Sequence, residues 1–145
     1  CARAGAVFAD AEAIEDQLLP LLQAIHTRLA GPAVACCLKQ RGSDQRQKRW
    51  SVLIDSDGLH STSSTPTVHI PKDDCGGGSA WAAGVIDSLS RGLVAAGRAQ
   101  PCRQGTVVTL GRDHAASALR NGDILAALAQ ESIGDHSTAT RADLE

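Results

Sequence analysis

Three consecutive glycines at positions 76–78 run straight into Ser79-Ala80-Trp81-Ala82-Ala83-Gly84, an alanine-rich stretch with helical spacing. This run constrains the chain more than any other feature. Glycine lets the backbone turn tightly and lets a ligand come close to it. The amides at the start of the following helix are free of intrahelical partners, and the helix dipole favours an anion there. Residues 76–82 therefore read as a phosphate cradle with Ser79 at its tip. A bare glycine cluster is also compatible with a flexible loop, so the reading depends on what surrounds it.

The surroundings have an α/β order. Residues 10–29 place Ile14, Leu18, Leu21, Leu22, Ile25 and Leu29 on one helical face, with Asp10 as a candidate cap. Pro20 is expected to kink this helix or to begin a second segment, and Gly31-Pro32 to end it. Ala33 to Leu38 is a continuous apolar run, as in a strand buried on both faces. Gln40 to Arg49 reads as a polar loop whose basic residues (Arg41, Arg46, Lys48, Arg49) face water. Trp50, Val52 and Ile54 alternate with Ser51, Leu53 and Asp55 in a second strand, and Asp55-Ser56-Asp57-Gly58 reads as a hairpin turn. Leu59 to Thr67 reads as irregular or as an edge, and Val68-His69-Ile70 as a short strand that feeds the glycines.

Beyond the glycines, Trp81, Val85, Leu89 and Leu93 recur at every fourth position, so Trp81 is expected to anchor the cradle helix in the core. Gly97 and Pro101 mark its end. A further helix is expected from about Asp123 to Gln130, with Asp123 as its cap after Asn121-Gly122, and a last one from Thr140. A short strand is expected at Val107 to Leu110.

Composition narrows the function classes. A chain of 145 residues with 43% hydrophobic content can build one core, and with 2% aromatic residues that core must come from Ala, Leu, Val and Ile. A net charge of -2 offers no electrostatic case for nucleic acid or an acidic membrane. No stretch is apolar for long enough to span a bilayer. The five cysteines (1, 36, 37, 75 and 102) lack Cys-x-x-Cys spacing and read as free thiols, neither a disulfide framework nor a zinc site. The five histidines (26, 60, 69, 114 and 136) show no ligand spacing to a Cys or Asp and read as surface or core residues; no metal site is expected. The chain begins at Cys1, which suggests a processed product or a piece of something longer.

The stretch His69-Ile70-Pro71-Lys72-Asp73-Asp74-Cys75-Gly76-Gly77-Gly78-Ser79-Ala80-Trp81-Ala82-Ala83-Gly84 resembles the signature of the ribokinase-like (PfkB) sugar kinases. Within that family the three glycines resemble the 2-keto-3-deoxygluconate kinase branch. The end of the chain does too: Ala127-Leu128-Ala129-Gln130, Gly134-Asp135-His136-Ser137-Thr138-Ala139-Thr140 and Leu144-Glu145. Trp50-Ser51 before a strand also matches. The resemblance covers residues 5–96 and 123–145, leaving 98–122 as an apparent insertion. It implies an α/β fold: the C-terminal part of a ribokinase-like three-layer domain with an incomplete sheet. The open edge of that sheet would be covered by a protein partner or by the remainder of a longer chain. It also implies ATP and Mg2+ as cofactors and an intracellular, cytoplasmic or organellar setting. Gly76, Gly77 and Gly78 would face the terminal phosphate, Asp73 would match the upstream family Asp, and Gly134-Asp135 would flank the nucleotide base or ribose.

The departures change what the chain is expected to do. The family's catalytic base is an Asp where this chain has Ser79, and a serine hydroxyl is no base near neutral pH without a partner. The family's Asn-x-x-Glu segment falls on Asp10 and Ala13, with Glu12 able to substitute only after a one-residue shift. A strand-end glycine of the family is Lys39 here. Three readings follow. One is a degenerate sugar-kinase-like subunit kept for assembly. A second is a working sugar kinase whose base has moved to Asp73 or Asp74. The third is a serine hydrolase on Ser79, which is opposed by Trp81 standing where a nucleophile elbow needs glycine.

Overall fold

In the computed structural model, residues 11–29, 33–56, 58–62, 66–95, 111–134, 140 and 142 are described, with the side chains of 16–29 and 77–92 in the first two helices. The order is α1 (Ala11–Leu29), β1 (Ala33–Arg41), β2 (Gln47–Asp55), β3 (Gly58–Ser61), β4 (Thr67–His69), α2 (Gly77–Ala95) and α3 (Arg112–Ala129). The four strands form one antiparallel sheet. β1 pairs with β2 along its whole length, from Ala33 opposite Asp55 to Arg41 opposite Gln47. β3 and β4 share the other side of β2, at Val52–Asp55 and Gln47–Arg49 respectively.

β2 is therefore central, and its period of two makes three layers. Val52 and Ile54 point to one face, where they close a small core with Leu22 of α1. Gln47, Arg49 and Ser51 point to the other face and reach α3. Every second residue of the strand thus serves a different layer, one apolar and one polar. β1 lies at the sheet edge, so its apolar run is half-buried and not enclosed on both faces as the sequence suggested.

α2 and α3 pack closely because two glycines meet at their crossing. A Cβ on Gly84 would lie 3.0 Å from the Asn121 carbonyl oxygen and from Gly122 Cα. A Cβ on Gly122 would lie 2.6 Å from Val85 Cγ2 and 3.0 Å from Trp81 Cδ1. A side chain at either position would force its neighbours to shift, which explains why alanine does not stand there despite its higher helix propensity.

Four local readings change. The polar loop expected at Gln40 to Arg49 shrinks to Gly42–Arg46, with Gln45 at φ 66, because the strand ladder continues through the long polar side chains on either side. Arg49 is consequently 3% exposed and not solvated. α1 runs through Pro20 as one helix, yet among the described side chains of its expected apolar face only Leu22 is buried, while Leu21, Ile25 and Leu29 are exposed. α3 starts at Arg112, eleven residues before the expected cap, and Asp123 sits buried within it. Asn121-Gly122 looked like a helix start, but here the glycine answers to packing and not to a turn. The expected strand at Val107 to Leu110, the Gly97 stop, the Asp10 cap and nearly all of the final helix lie outside the described residues.

Gly122→Ala should destabilise the protein by about 1–3 kcal/mol, since overpacking of this kind outweighs the roughly 1 kcal/mol that Ala gains over Gly in a helix. Urea unfolding checks this; a variant as stable as the parent would show that the helices separate freely.

Candidate functional site

The segment between β4 and α2 carries the glycine turn. Gly76 has φ +72, a conformation that side chains disfavour, and it directs the chain into α2. Gly77 is required for a different reason. A Cβ there would lie 3.0 Å from Gln130 Cδ and 3.2 Å from an Arg49 guanidinium nitrogen. Gly78 has nothing within 4 Å of its Cβ position, so the approach to the turn is open on that side. The Ala80 amide donates to the Gly76 carbonyl at 2.9 Å and begins the helical ladder. The amides of Gly77, Gly78 and Ser79 precede it, at the positive end of the helix dipole. Ser79 is exposed, and among the described residues no histidine or carboxylate is hydrogen-bonded to its hydroxyl.

Asp73 and Gly134, 61 residues apart, meet beside this turn. The Gly134 amide donates to Asp73 Oδ2 at 2.9 Å, and the Cys75 amide donates to Asp73 Oδ1 at 3.1 Å. These two bonds, the one from Gly134 foremost, hold the Asp73 carboxyl below the usual carboxylate range. Gly134 takes φ +103, which glycine alone adopts without strain. The cradle and the 134 loop are thus tied directly; Asp135 itself lies outside the described residues.

Gln130, at the end of α3, fastens the turn to the sheet. Its side-chain oxygen accepts from Gln47 Nε2 at 2.9 Å and from Arg49 at 2.8 Å. His69 Nε2 lies 3.0 Å from the same oxygen and must carry its proton to donate there. Burial pushes the His69 pKa down, which keeps the ring neutral. The Gln130 amide nitrogen donates to the carbonyl and the carboxylate of Asp74, at 3.3 and 3.2 Å. Its backbone carbonyl accepts the Lys72 amide at 2.8 Å. Asp74 also faces Arg41 at 3.4 Å and Lys39 at 3.9 Å, both from the end of β1.

About two turns back along α3, Asp123 forms a second anchor. Ser51 Oγ donates to its Oδ1 at 2.6 Å and Thr62 Oγ1 to its Oδ2 at 2.9 Å. The Trp81 indole N–H donates to Ser51 Oγ at 2.7 Å, so α2, β2 and α3 share one chain of hydrogen bonds. Trp81 is the expected anchor of the cradle helix, held by its polar edge as well as by packing. Burial raises the Asp123 pKa, and the bonds from Ser51 and Thr62 and the charge of Arg49 only partly offset this.

The expected cradle residues Gly76, Gly77, Gly78, Ser79, Asp73 and Gly134 all come together. Of the other family positions, Asp10 lies outside the described residues, and Ala13 falls in the first turns of α1. Among the described residues no group of three or more His, Cys, Asp or Glu could hold a metal ion, and no helix is long and apolar enough to cross a membrane. Cys36 and Cys37 are free thiols. The histidines include one pairing the sequence did not suggest: His60 Nε2 lies 3.2 Å from Asp55 Oδ1, both buried, across the β2–β3 hairpin. Gln130, Arg49 and Asp123 were also missed as anchors. A signal existed: Gln47, Arg49 and Ser51 share one face of β2, while Asp123 and Gln130, seven apart, share one face of α3.

Helices on both faces of this sheet, with a glycine turn opening a helix, make an α/β fold, and its likeness to two solved sugar-kinase structures marks it as ribokinase-like. One is 2-dehydro-3-deoxygluconokinase from Thermotoga maritima, with a TM-score of 0.64 and 10% identity over 89% of this chain. The other is a PfkB family carbohydrate kinase from Listeria grayi, with a TM-score of 0.58 and 14% identity over 84% of this chain. This chain spans only about a third of each, 33% and 32%. No family model and no curated protein sequence matches it.

The raised pKa of Asp123 has a pH consequence. The folded state binds this proton more tightly than the unfolded chain, so the contribution is greatest in acid and is lost as pH rises from about 4 through the folded value. Asp123→Asn should lack that loss. The difference in unfolding free energy, variant minus parent, should therefore shift in the variant's favour as pH rises. Urea unfolding at stepped pH checks it; a constant difference would contradict it.

Proposed function

We propose that this chain is a degenerate PfkB-type carbohydrate-kinase-like protein, a pseudokinase that keeps the phosphate cradle, lacks the catalytic base and serves as a structural subunit of a larger assembly. The single observation that carries this reading is Ser79: it stands exposed at the tip of the glycine turn, with no base hydrogen-bonded to it among the described residues. The residues present fit a phosphate. The amides of Gly77, Gly78 and Ser79 open the helix, and Gly78 leaves room for a ligand. ATP with Mg2+ would supply that phosphate.

A relocated base finds no support in the geometry. Asp73 has both carboxylate oxygens occupied by backbone amides and a lowered pKa, which makes it a weaker base. Asp74 is engaged by Lys39, Arg41 and Gln130. Nor does a hydrolase, since Ser79 has no histidine partner among the described residues and Trp81 is held to Ser51.

The assembly half of the reading rests on exposed apolar surface. Leu21, Ile25 and Leu29 form an exposed ridge on α1 beside the edge strand β1. A partner protein or the remainder of a longer chain would cover that edge and ridge, as the two-thirds of each kinase neighbour beyond this match suggests.

The protein should bind Mg-ATP in calorimetry and should transfer no phosphoryl group to 2-keto-3-deoxygluconate. Ser79→Asp returns a carboxylate to the base position, a group that contributes about 10²–10⁴-fold where acceptor and phosphate are both in place. Turnover by the unaltered protein would overturn the pseudokinase reading.

A further inference from the structure

Arg49 is a buried cation at an electrostatically awkward place. It is 3% exposed, and one guanidinium nitrogen lies 3.2 Å from where a Cβ of Gly77, the first residue of α2, would be. Cations are disfavoured at a helix N-terminus, because the dipole is positive there. Its two terminal nitrogens donate to Cys37 Sγ at 3.2 Å and to Gln130 Oε1 at 2.8 Å, while Nε has no hydrogen-bond partner. The amide oxygen carries no charge. Cys37 is a thiol kept protonated by burial.

The nearby charged groups do not pair with it. Among the described residues no carboxylate lies within salt-bridge distance of Arg49. Asp123 lies within its field, but the oxygens of that carboxylate accept from Ser51, Thr62 and Cys37. Asp74 is held by Gln130 and by Lys39 and Arg41. His69 is a neighbour of the same sign when protonated, and burial keeps it neutral. A desolvated guanidinium and a helix N-terminus thus add their positive potentials at one turn, and that turn is open above Gly78.

We propose that Arg49 is a positioning residue for a ligand phosphate, a fixed positive charge beneath the glycine turn that draws the anion onto the amides of Gly77, Gly78 and Ser79. This rests on the cradle reading above and goes beyond it by placing the charge in the sheet layer, outside the glycine motif. Arg49 does not touch the ligand. It acts through its field and by fixing the underside of Gly77.

The test compares Mg-ATP with adenosine by calorimetry at low ionic strength, in the parent, Arg49→Met and Arg49→Lys. The gain in affinity from adenosine to Mg-ATP reports the phosphates alone. A unit charge acting over about 8 Å at an effective dielectric constant of about 20 is worth roughly tenfold or more in binding. Arg49→Met should lose that factor for Mg-ATP with adenosine affinity unchanged, and Arg49→Lys should retain it. A structural role predicts instead that both ligands weaken together. Equal losses for the two ligands in Arg49→Met, or none, would overturn the assignment of Arg49 while leaving the cradle intact. A parent protein that gains nothing from the phosphates would overturn the cradle reading with it. Should Arg49→Met not fold, Arg49→Gln removes the charge and still can donate to Gln130; the same ratio then decides.

Discussion

The interaction on which the rest of this structure depends is the set of bonds around the Gln130 side chain. One buried amide joins the centre of the sheet, through Gln47 and Arg49, to the segment that enters the glycine turn, through Asp74. Its backbone carbonyl takes the Lys72 amide as well. A buried amide left unpartnered costs about 1–3 kcal/mol, so such a hub is stable only when all its partners are in place together. Strand, turn and helix end therefore form as a unit. The conformation of the turn is inherited from the sheet and does not arise from the glycines alone.

The polar face of β2 continues this logic. Gln47 and Arg49 meet Gln130, and Ser51 meets Asp123, so residues on one side of the strand bind two points on one face of α3, about two turns apart. The opposite face of the strand packs on α1 through Val52 and Ile54. A chain with few aromatic residues thereby secures one layer by apolar packing and the other largely by hydrogen bonds. The close crossing at Gly84 and Gly122 makes this possible by bringing α2 near enough for Trp81 to reach Ser51. The cradle helix is thus fixed at its first turn from below and along its length from the side.

Much of this was legible in the sequence. The α/β order, the glycine turn and the anchor at Trp81 follow from periodicity and from the conformational freedom of glycine. The resemblance to sugar kinases singled out Asp73 and Gly134 separately, but not their meeting, since no local rule relates residues 61 apart. What was misread shares one cause. Gln47 and Arg49 looked like a solvated loop because long polar side chains usually face water, and Asp123 looked like a helix cap because it follows Asn121-Gly122. Each is buried by a partner distant in sequence: Gln130 for the first two, Ser51 and Thr62 for the third. The shared faces of Gln47, Arg49 and Ser51 on β2 and of Asp123 and Gln130 on α3 were readable, but no local rule says that those two faces meet. The apolar face of α1 was overestimated for the complementary reason, because a helical stripe records what a helix can cover and not how much sheet lies beneath it.

The central claim is that the turn is held by the sheet through Gln130. Amide hydrogen exchange, read by NMR at Lys72, Cys75 and Gly134 in the parent and in Gln130→Ala, tests it most directly. The account predicts that the three amides are protected in the parent and lose protection together in the variant, while amides in the middle of β2 stay slow. Unchanged protection at all three in the variant would contradict it, and would mean that the glycine turn holds its shape without the sheet.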